Sequence, residues 1–279
     1  MALKTWISQA SQDASVAGNW NGGVPVGGDD ILIPAGTASI TSGTDPAVTL
    51  VNGEVQDGYT GSLGTPADAF DYAFSGVFSI YGSPQSKYWL TAGTANVAGL
   101  YINPATSQAE ITLLAGLFVN TVIKAGTVRT SATHTLLENA ARNNLQQNSS
   151  LELLGGTTTL LRNIAGNLLA QTTGAVITTL DVLNHFALIT AASLGAINLY
   201  GGKIDYRTVV GTPIINIYAG FLAAAQDSQA KTINKIILHT EAAKALVGPT
   251  VTVTNGIVDP LGVVRSIYSG SSGDSFSGL

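Results

Sequence analysis

Between Leu151 and Gly256 one short pattern recurs: apolar, any residue, apolar, two further positions, then Gly or a polar substitute. Its copies are Leu151–Gly156, Leu180–His185, Ile197–Gly202, Ile215–Gly220, Ile236–Glu241 and Val251–Gly256, whose first residues lie 29, 17, 18, 21 and 15 positions apart. A spacing near ~18–20, with one longer interval that holds a loop or a weak extra copy, suits the coils of a parallel β-solenoid. The first and third residues of a strand share a face. Stacked coils would therefore place Leu180, Val182, Ile197, Leu199, Ile215 and Ile217 in continuous inner columns, with glycine allowing each corner.

The expected fold is thus all-β, a parallel β-solenoid (β-helix). An antiparallel β-sandwich fits short strands and frequent turns as well, and stays open as the alternative. No left-handed hexapeptide signature appears, which leans toward a right-handed coil. The dipeptides Asn21-Gly22, Asn52-Gly53, Asp57-Gly58 and Asn255-Gly256 mark corners. Residues 1–60 read as an N-terminal cap and first strands, 61–110 as an aromatic, loop-rich insertion, 111–258 as the solenoid and 259–279 as a C-terminal tail. The run His134–Gln147 reads as a short helix, with Leu136, Leu137 and Ala140 on one side.

Only 10% of the residues are charged and 45% are hydrophobic, against a usual charged share of roughly 25%. A chain so short of ions covers itself with Thr, Ser, Asn, Gln and Gly, or buries apolar surface against partner chains. A homo-oligomer follows, expected as a trimer. The net charge is −5 and the 12 Lys and Arg are scattered, so nucleic acid is not an expected partner. The stretches Val182–Gly202 and Thr208–Gln226 lack charge, but Asn, Gly, Thr and Pro interrupt them and no membrane span is expected. The N-terminus lacks a basic start followed by an apolar segment, the mark of a secretory signal, so the expected compartment of synthesis is a cytoplasm.

Motifs for chemistry are missing. With no cysteine, thiolate metal sites and Cys nucleophiles are excluded. No Gly-x-Ser-x-Gly element is present, and Gly201-Gly202-Lys203 lacks the remainder of a phosphate loop. His134, His185 and His239 lack metal-ligand spacing and read as ordinary coil or surface residues, the last two in equivalent repeat slots. Glycan cleavage needs two carboxylates at a suitable separation. Glu152, Asp181 and Asp205 beside the repeat, and Asp68 with Asp71 beside Tyr72, are the candidates, each more simply a solvated strand or turn residue. Asp29 and Asp30 lack the repeated glycine-rich loop of a calcium ladder. No catalytic residue, cofactor or metal is expected.

Trp6, then Asn19-Trp20-Asn21-Gly22-Gly23-Val24-Pro25 and Gly28-Asp29-Asp30-Ile31, together resemble a module at the start of β-helical surface and virion proteins. The likeness covers residues 6–34. It implies a cap in which Trp6 and Trp20 plug the open end of the solenoid and Pro25, Asp29 and Asp30 lead into the strand Ile31 to Ile33. It also implies a non-enzymatic structural protein of a bacteriophage virion, a capsid decoration or head-fibre protein assembled in the host cytoplasm. Its partners would be other copies of the chain and virion proteins such as the capsid protein. Two alternatives belong beside it: a tail fibre or tailspike that binds or cuts a host surface glycan, and a bacterial surface adhesin. The Gly- and Ser-rich tail ends in Phe276 and Leu279, the expected attachment residues.

Overall fold

Beyond the N-terminal end, strands of this chain pair with strands one coil away, not with their sequence neighbours. The computed structural model describes residues 1–83, 85–105, 108–140, 150–190, 192–208, 210–225, 228–260 and 267–269, the last three by backbone alone. Among these, fifteen strands form one long sheet, ten a second and two a third. The result is a β-solenoid of about 10 turns, about 1% helical. The one helix among the described residues is a 3₁₀ turn at Ala17–Asn19. From Ala73–Ile80 to Gly220–Ala223, consecutive strands alternate between the two large sheets; after that, Lys231–Ile233 and Val251–Val253 form the third.

Parallel register carries one inward position through the long sheet: Phe78, Leu100, Thr121, Leu137, Leu161, Leu180, Ile197, Ile215, Ile236 and Ile257. Leu180, Val182, Ile197, Leu199, Ile215 and Ile217, the residues expected inside, are all fully buried. Each such aliphatic side chain contributes roughly 1.5–3 kcal/mol by leaving water. Four of the six pattern copies lie in this column, and the other two are out of phase with it. Leu151 belongs to the inner column of the second sheet, between Val128 and Leu168, and Val251 pairs with Lys231 in the third. Their true equivalents are Leu161 and Ile257. Leu161 was hidden because its third position is Asn163, a fully buried amide where other copies carry Val, Leu or Ile.

The long strands bend. In Val176–Val182, Ile177 and Leu180 point inward with two outward residues between them, which breaks strict alternation, and Thr133–Ala140, Thr157–Ala165 and Ser193–Leu199 share the pattern. Strand geometry alternates every residue, so this spacing turns a corner within the strand and gives the coil a third side.

Three expectations are corrected. His134–Ala140 lies in a strand, Thr133–Ala140, not a helix; parallel pairing on both sides overrides a local helical pattern, and 141–147 lie outside the described residues. Residues 61–110 are not an insertion, because Ala73–Ile80, Lys87–Thr91 and Val97–Ile102 belong to the stack. Their aromatics, with Tyr59 just before them, fill its interior: Tyr59, Phe70, Tyr72, Phe74, Phe78 and Tyr88 are buried, and Phe74 stacks on Phe78 at 4.6 Å. Finally, Asn52-Gly53 is not a corner. Gly53 starts the inward-facing strand Gly53–Val55, and a Cβ there would lie 2.6 Å from the Phe74 ring and 2.7 Å from that of Phe78. Glycine at this position makes room for the two rings.

Truncating the inner column has a predictable cost. Ile217→Ala should lower unfolding free energy by about 3 kcal/mol in a urea titration, and Ile217→Asp by more, whereas Thr178→Ala on the exposed side should stay within about 0.5 kcal/mol. Equal effects of Ile217→Ala and Thr178→Ala would show the inward assignment to be wrong.

Candidate interaction surface

At the N-terminal end Leu3–Trp6 pairs in parallel with Asp30–Ile33 and antiparallel with Trp20–Asn21, the outermost strand of the long sheet. Trp6 and Trp20 meet edge to face at 5.0 Å and are buried. Each indole N–H is satisfied, donating to the carbonyls of Ala38 and Ala14 at 2.8 Å. Pro25 is also buried. Asp29 accepts from the N–H groups of Ala2 at 3.0 Å and Val26 at 3.2 Å, with Lys4 Nζ at 3.7 Å. Burial opposes its charge, but the Val26 and Ala2 bonds and the Lys4 ammonium more than offset this and hold its carboxyl below the usual range. Asp30 accepts from the backbone N–H of Asn52 at 2.9 Å, tying successive coils together. Phe276 and Leu279 lie outside the described residues.

The carboxylates proposed for glycan chemistry are dispersed. Glu152 and Asp205 share an outward column of the second sheet, separated by Leu169 and Leu188. Three strand steps of about 4.8 Å put them about 14 Å apart, beyond the ~5–9.5 Å of glycosidase pairs. Each also has a cationic neighbour: Arg129 at 3.0 Å from Glu152, and Arg207 in a two-point clamp on Asp205 at 2.9 and 2.6 Å. Asp181 lies on the long sheet, where Arg162 reaches it at 3.7 Å and Glu138 at 3.2 Å. Among the described residues, no group of three or more His, Asp or Glu could hold a metal ion, and no helix is long and apolar enough to cross a membrane.

Asp71 is different. Desolvation raises its pKa, with the charges of Asp68 and Asp45 adding to the effect against a Thr44 hydrogen bond. Its Oδ1 is buried without a hydrogen-bond partner.

The histidines occupy three unlike environments, so His185 and His239 are not equivalent. His185 turns a corner with φ 65°. His239 extends an outward stack, Tyr200 on Tyr218 at 4.8 Å and Tyr218 on His239 at 4.2 Å. Beside it runs a ladder in which Asn198 donates to Asp181 at 2.8 Å and Asn216 to Asn198 at 2.9 Å. Ring faces stacked on one another are closed to a sugar; edges remain. His134 is fully buried between the hydroxyls of Thr121, 3.3 Å from Nδ1, and Thr130, 2.9 Å from Nε2, and against Phe118. A neutral imidazole has one donor and one acceptor nitrogen, and rotating hydroxyls satisfy both.

The feature that sequence reasoning missed is the outward side of the long sheet across Ala73–Ile80, Val97–Ile102 and Leu117–Ile123. Val77 stands 46% exposed between two hollows of about 380 and 400 Å³, the first bordered by Leu3, Leu32 and the carboxylates Asp30 and Glu54, the second lined by Gly76, Ala98, Gly99, Tyr101 and Val122 among others. The signal was the outward set Val77, Gly99, Asn120 and Ser79, Tyr101, Val122, which contains no charge. It becomes visible only once register is known.

Burial pushes the His134 imidazole down to about 4. The unfolded chain, titrating near 6.5, then binds the extra proton first, so stability is complete above pH 6.5 and declines as pH falls toward 4, by about 3 kcal/mol in all. Urea unfolding of wild type and His134→Gln across this window should show the slope in wild type and a flatter profile in the variant. Identical profiles would mean that His134 does not set the slope.

Comparison with protein-family models, curated proteins and solved structures finds no match to this chain, so the role of these faces has to be argued from their geometry.

Proposed function

We propose that this chain is a non-enzymatic structural component of a bacteriophage particle, a capsid decoration or head-fibre protein assembled in the host cytoplasm. It acts by packing, as a homotrimer, against its own copies and against other virion proteins such as the capsid protein. The observation that carries this reading is a stacked β-solenoid with a charge-free, partly apolar outer stretch and with Glu152, Asp181 and Asp205 dispersed and ion-paired. The N-terminal Trp module, with its likeness to virion proteins, supports the same conclusion. A rod of parallel strands suits a spacer or appendage because each coil braces the next and few segments are free to move relative to one another.

A second reading, a tail appendage that cleaves host glycan, is favoured by one residue, Asp71. A carboxyl whose pKa is raised by burial and by neighbouring acids is suited to donate a proton. The aromatics of residues 59–88 give that reading little support, since most of their ring surface is spent on the interior.

Two measurements test these readings. Light scattering at micromolar concentration should give a mass of three chains, and a stable monomer would overturn the trimer. Incubation with envelope polysaccharide should release no reducing sugar; release that is abolished by Asp71→Asn and kept in Asp205→Asn would overturn the structural reading in favour of the appendage.

A further inference from the structure

We infer that the Asn21-Gly22 step is a site of spontaneous self-modification, at which the chain converts its own asparagine to aspartate and isoaspartate and so unfastens the strand that seals the N-terminal end of the solenoid. This modification is independent of the self-association proposed above.

The chemistry needs only water and its hydroxide. Once the Gly22 amide has given its proton to hydroxide, its nitrogen attacks Cγ of Asn21. The N–Cγ bond forms, the Cγ–Nδ2 bond breaks, and Nδ2 leaves as ammonia with a proton taken from water, which regenerates the hydroxide. Water then opens the cyclic imide. Cleavage of the new N–Cγ bond gives aspartate, and cleavage of the original peptide bond gives isoaspartate, in which the main chain runs through Cβ and Cγ. A glycine after the asparagine favours ring closure because no Cβ shields the attacking nitrogen.

The chain has three such steps, Asn21-Gly22, Asn52-Gly53 and Asn255-Gly256, and the fold treats them differently. Asn52 is held at both ends of its amide, accepting from the Val77 N–H at 3.1 Å and donating to Asp30 at 3.1 Å, and Gly53 has parallel partners on both sides. Asn255 donates to Asn234, and the Gly256 N–H turns to the Val253 carbonyl at 3.4 Å. At the first step both residues are exposed. Among the described residues, neither the Asn21 side-chain amide nor the Gly22 N–H has a hydrogen-bond partner. Asn21 also ends its strand, and Gly22 and Gly23 follow at φ 94° and 81°. The peptide between residues 21 and 22 therefore has room to swing toward the side chain, a rotation that strand pairing forbids at Gly53.

What the product does follows from its place. Asn21 pairs with Thr5 and Trp20 with Trp6 in the antiparallel strand that closes the long sheet, and the Gly22 carbonyl accepts from Lys4 Nζ. Isoaspartate adds a carbon to the main chain between the residue paired with Thr5 and that carbonyl, so the strand pairing and the Lys4 contact no longer fit at once. The released carboxylate also competes for the Lys4 ammonium, which now faces Asp29 at 3.7 Å. With its cover loosened, Leu3–Trp6 presents an open strand edge.

The full-length protein would be aged in mildly alkaline buffer, folded and in urea. Peptide mapping with electron-transfer fragmentation, which separates isoaspartate from aspartate, follows the three steps. In the folded chain Asn21 is expected to convert about tenfold ahead of Asn52 and Asn255, a barrier difference of about 1.4 kcal/mol, and in urea the three rates should converge. Asn52 or Asn255 converting as fast as Asn21 in the folded chain would overturn the site. Hydrogen exchange then reads the cap. Aged wild type should lose protection at Leu3–Trp6 and keep it at Ser193–Leu199, whereas Asn21→Gln, whose longer side chain closes a ring far more slowly, should keep both after the same ageing. Unchanged protection at Leu3–Trp6 in protein whose Asn21 has converted would overturn the unfastening, as would an equal loss in aged Asn21→Gln.

Discussion

A single coil of this solenoid cannot bury its own apolar side. Parallel hydrogen bonding between strands one coil apart supplies what it lacks, because register sets like position on like position and turns isolated Ile and Leu side chains into columns. Everything else depends on that register. A slip of one residue in the strand Ile214–Ile217 would turn Ile215 and Ile217 outward and Asn216 inward, so the alternation of apolar and polar residues enforces the pairing that it exploits.

Coil length and the filling of the interior both vary along the stack. The aligned residues Ile31, Gly53, Phe78 and Leu100 are 22, 25 and 22 positions apart, whereas Leu180, Ile197 and Ile215 are 17 and 18 apart. Longer coils enclose a wider section, which close packing has to fill. Phe, Tyr and Trp do so toward the N-terminus, and Ile, Leu and Ala farther along. The same end also carries the open edge, which is closed by the antiparallel strand Trp20–Asn21 and the paired indoles, so that a row of unpaired strand groups is not left as a template for another chain.

The buried amides Asn139 and Asn163 and the imidazole of His134 are hydrogen-bonded, whereas the Tyr206 hydroxyl and Asp71 Oδ1 are buried without a partner. Asn139 donates to Asn163 at 2.9 Å and to the carbonyl of Asn167 at 3.1 Å, and Asn163 donates to the carbonyl of Phe186 at 3.4 Å. These amides tie the turning backbone of adjacent coils together. His134 between two threonines is satisfied as a neutral base, and its position away from any carboxylate partner makes acid its natural stress. Outside, charge is handled differently: pairs on adjacent strands, such as Arg129 with Glu152, lie along the hydrogen-bonding direction and reinforce the register from the solvent side.

The solenoid itself was legible in the sequence, since Leu180, Ile197, Ile215 and Ile236 fall at coil spacing and each begins an apolar alternation. Local patterns went astray where a neighbouring coil decides the outcome. His134–Ala140 has helical apolar spacing yet is held as a strand from both sides; Asn52-Gly53 has turn chemistry, yet its glycine exists to admit two phenylalanine rings from the next coil; Leu161 is a repeat position masked by a buried asparagine. The outward patch around Val77 could not be read at all before folding, because Val77, Gly99 and Val122 are far apart in the chain and become one patch only when three strands align. Sequence determined the period and the inward face, both properties of single strands. Tertiary structure decided which coils stack, which polar groups the interior can satisfy and which outward residues share a surface, because each of these depends on what lies one coil away.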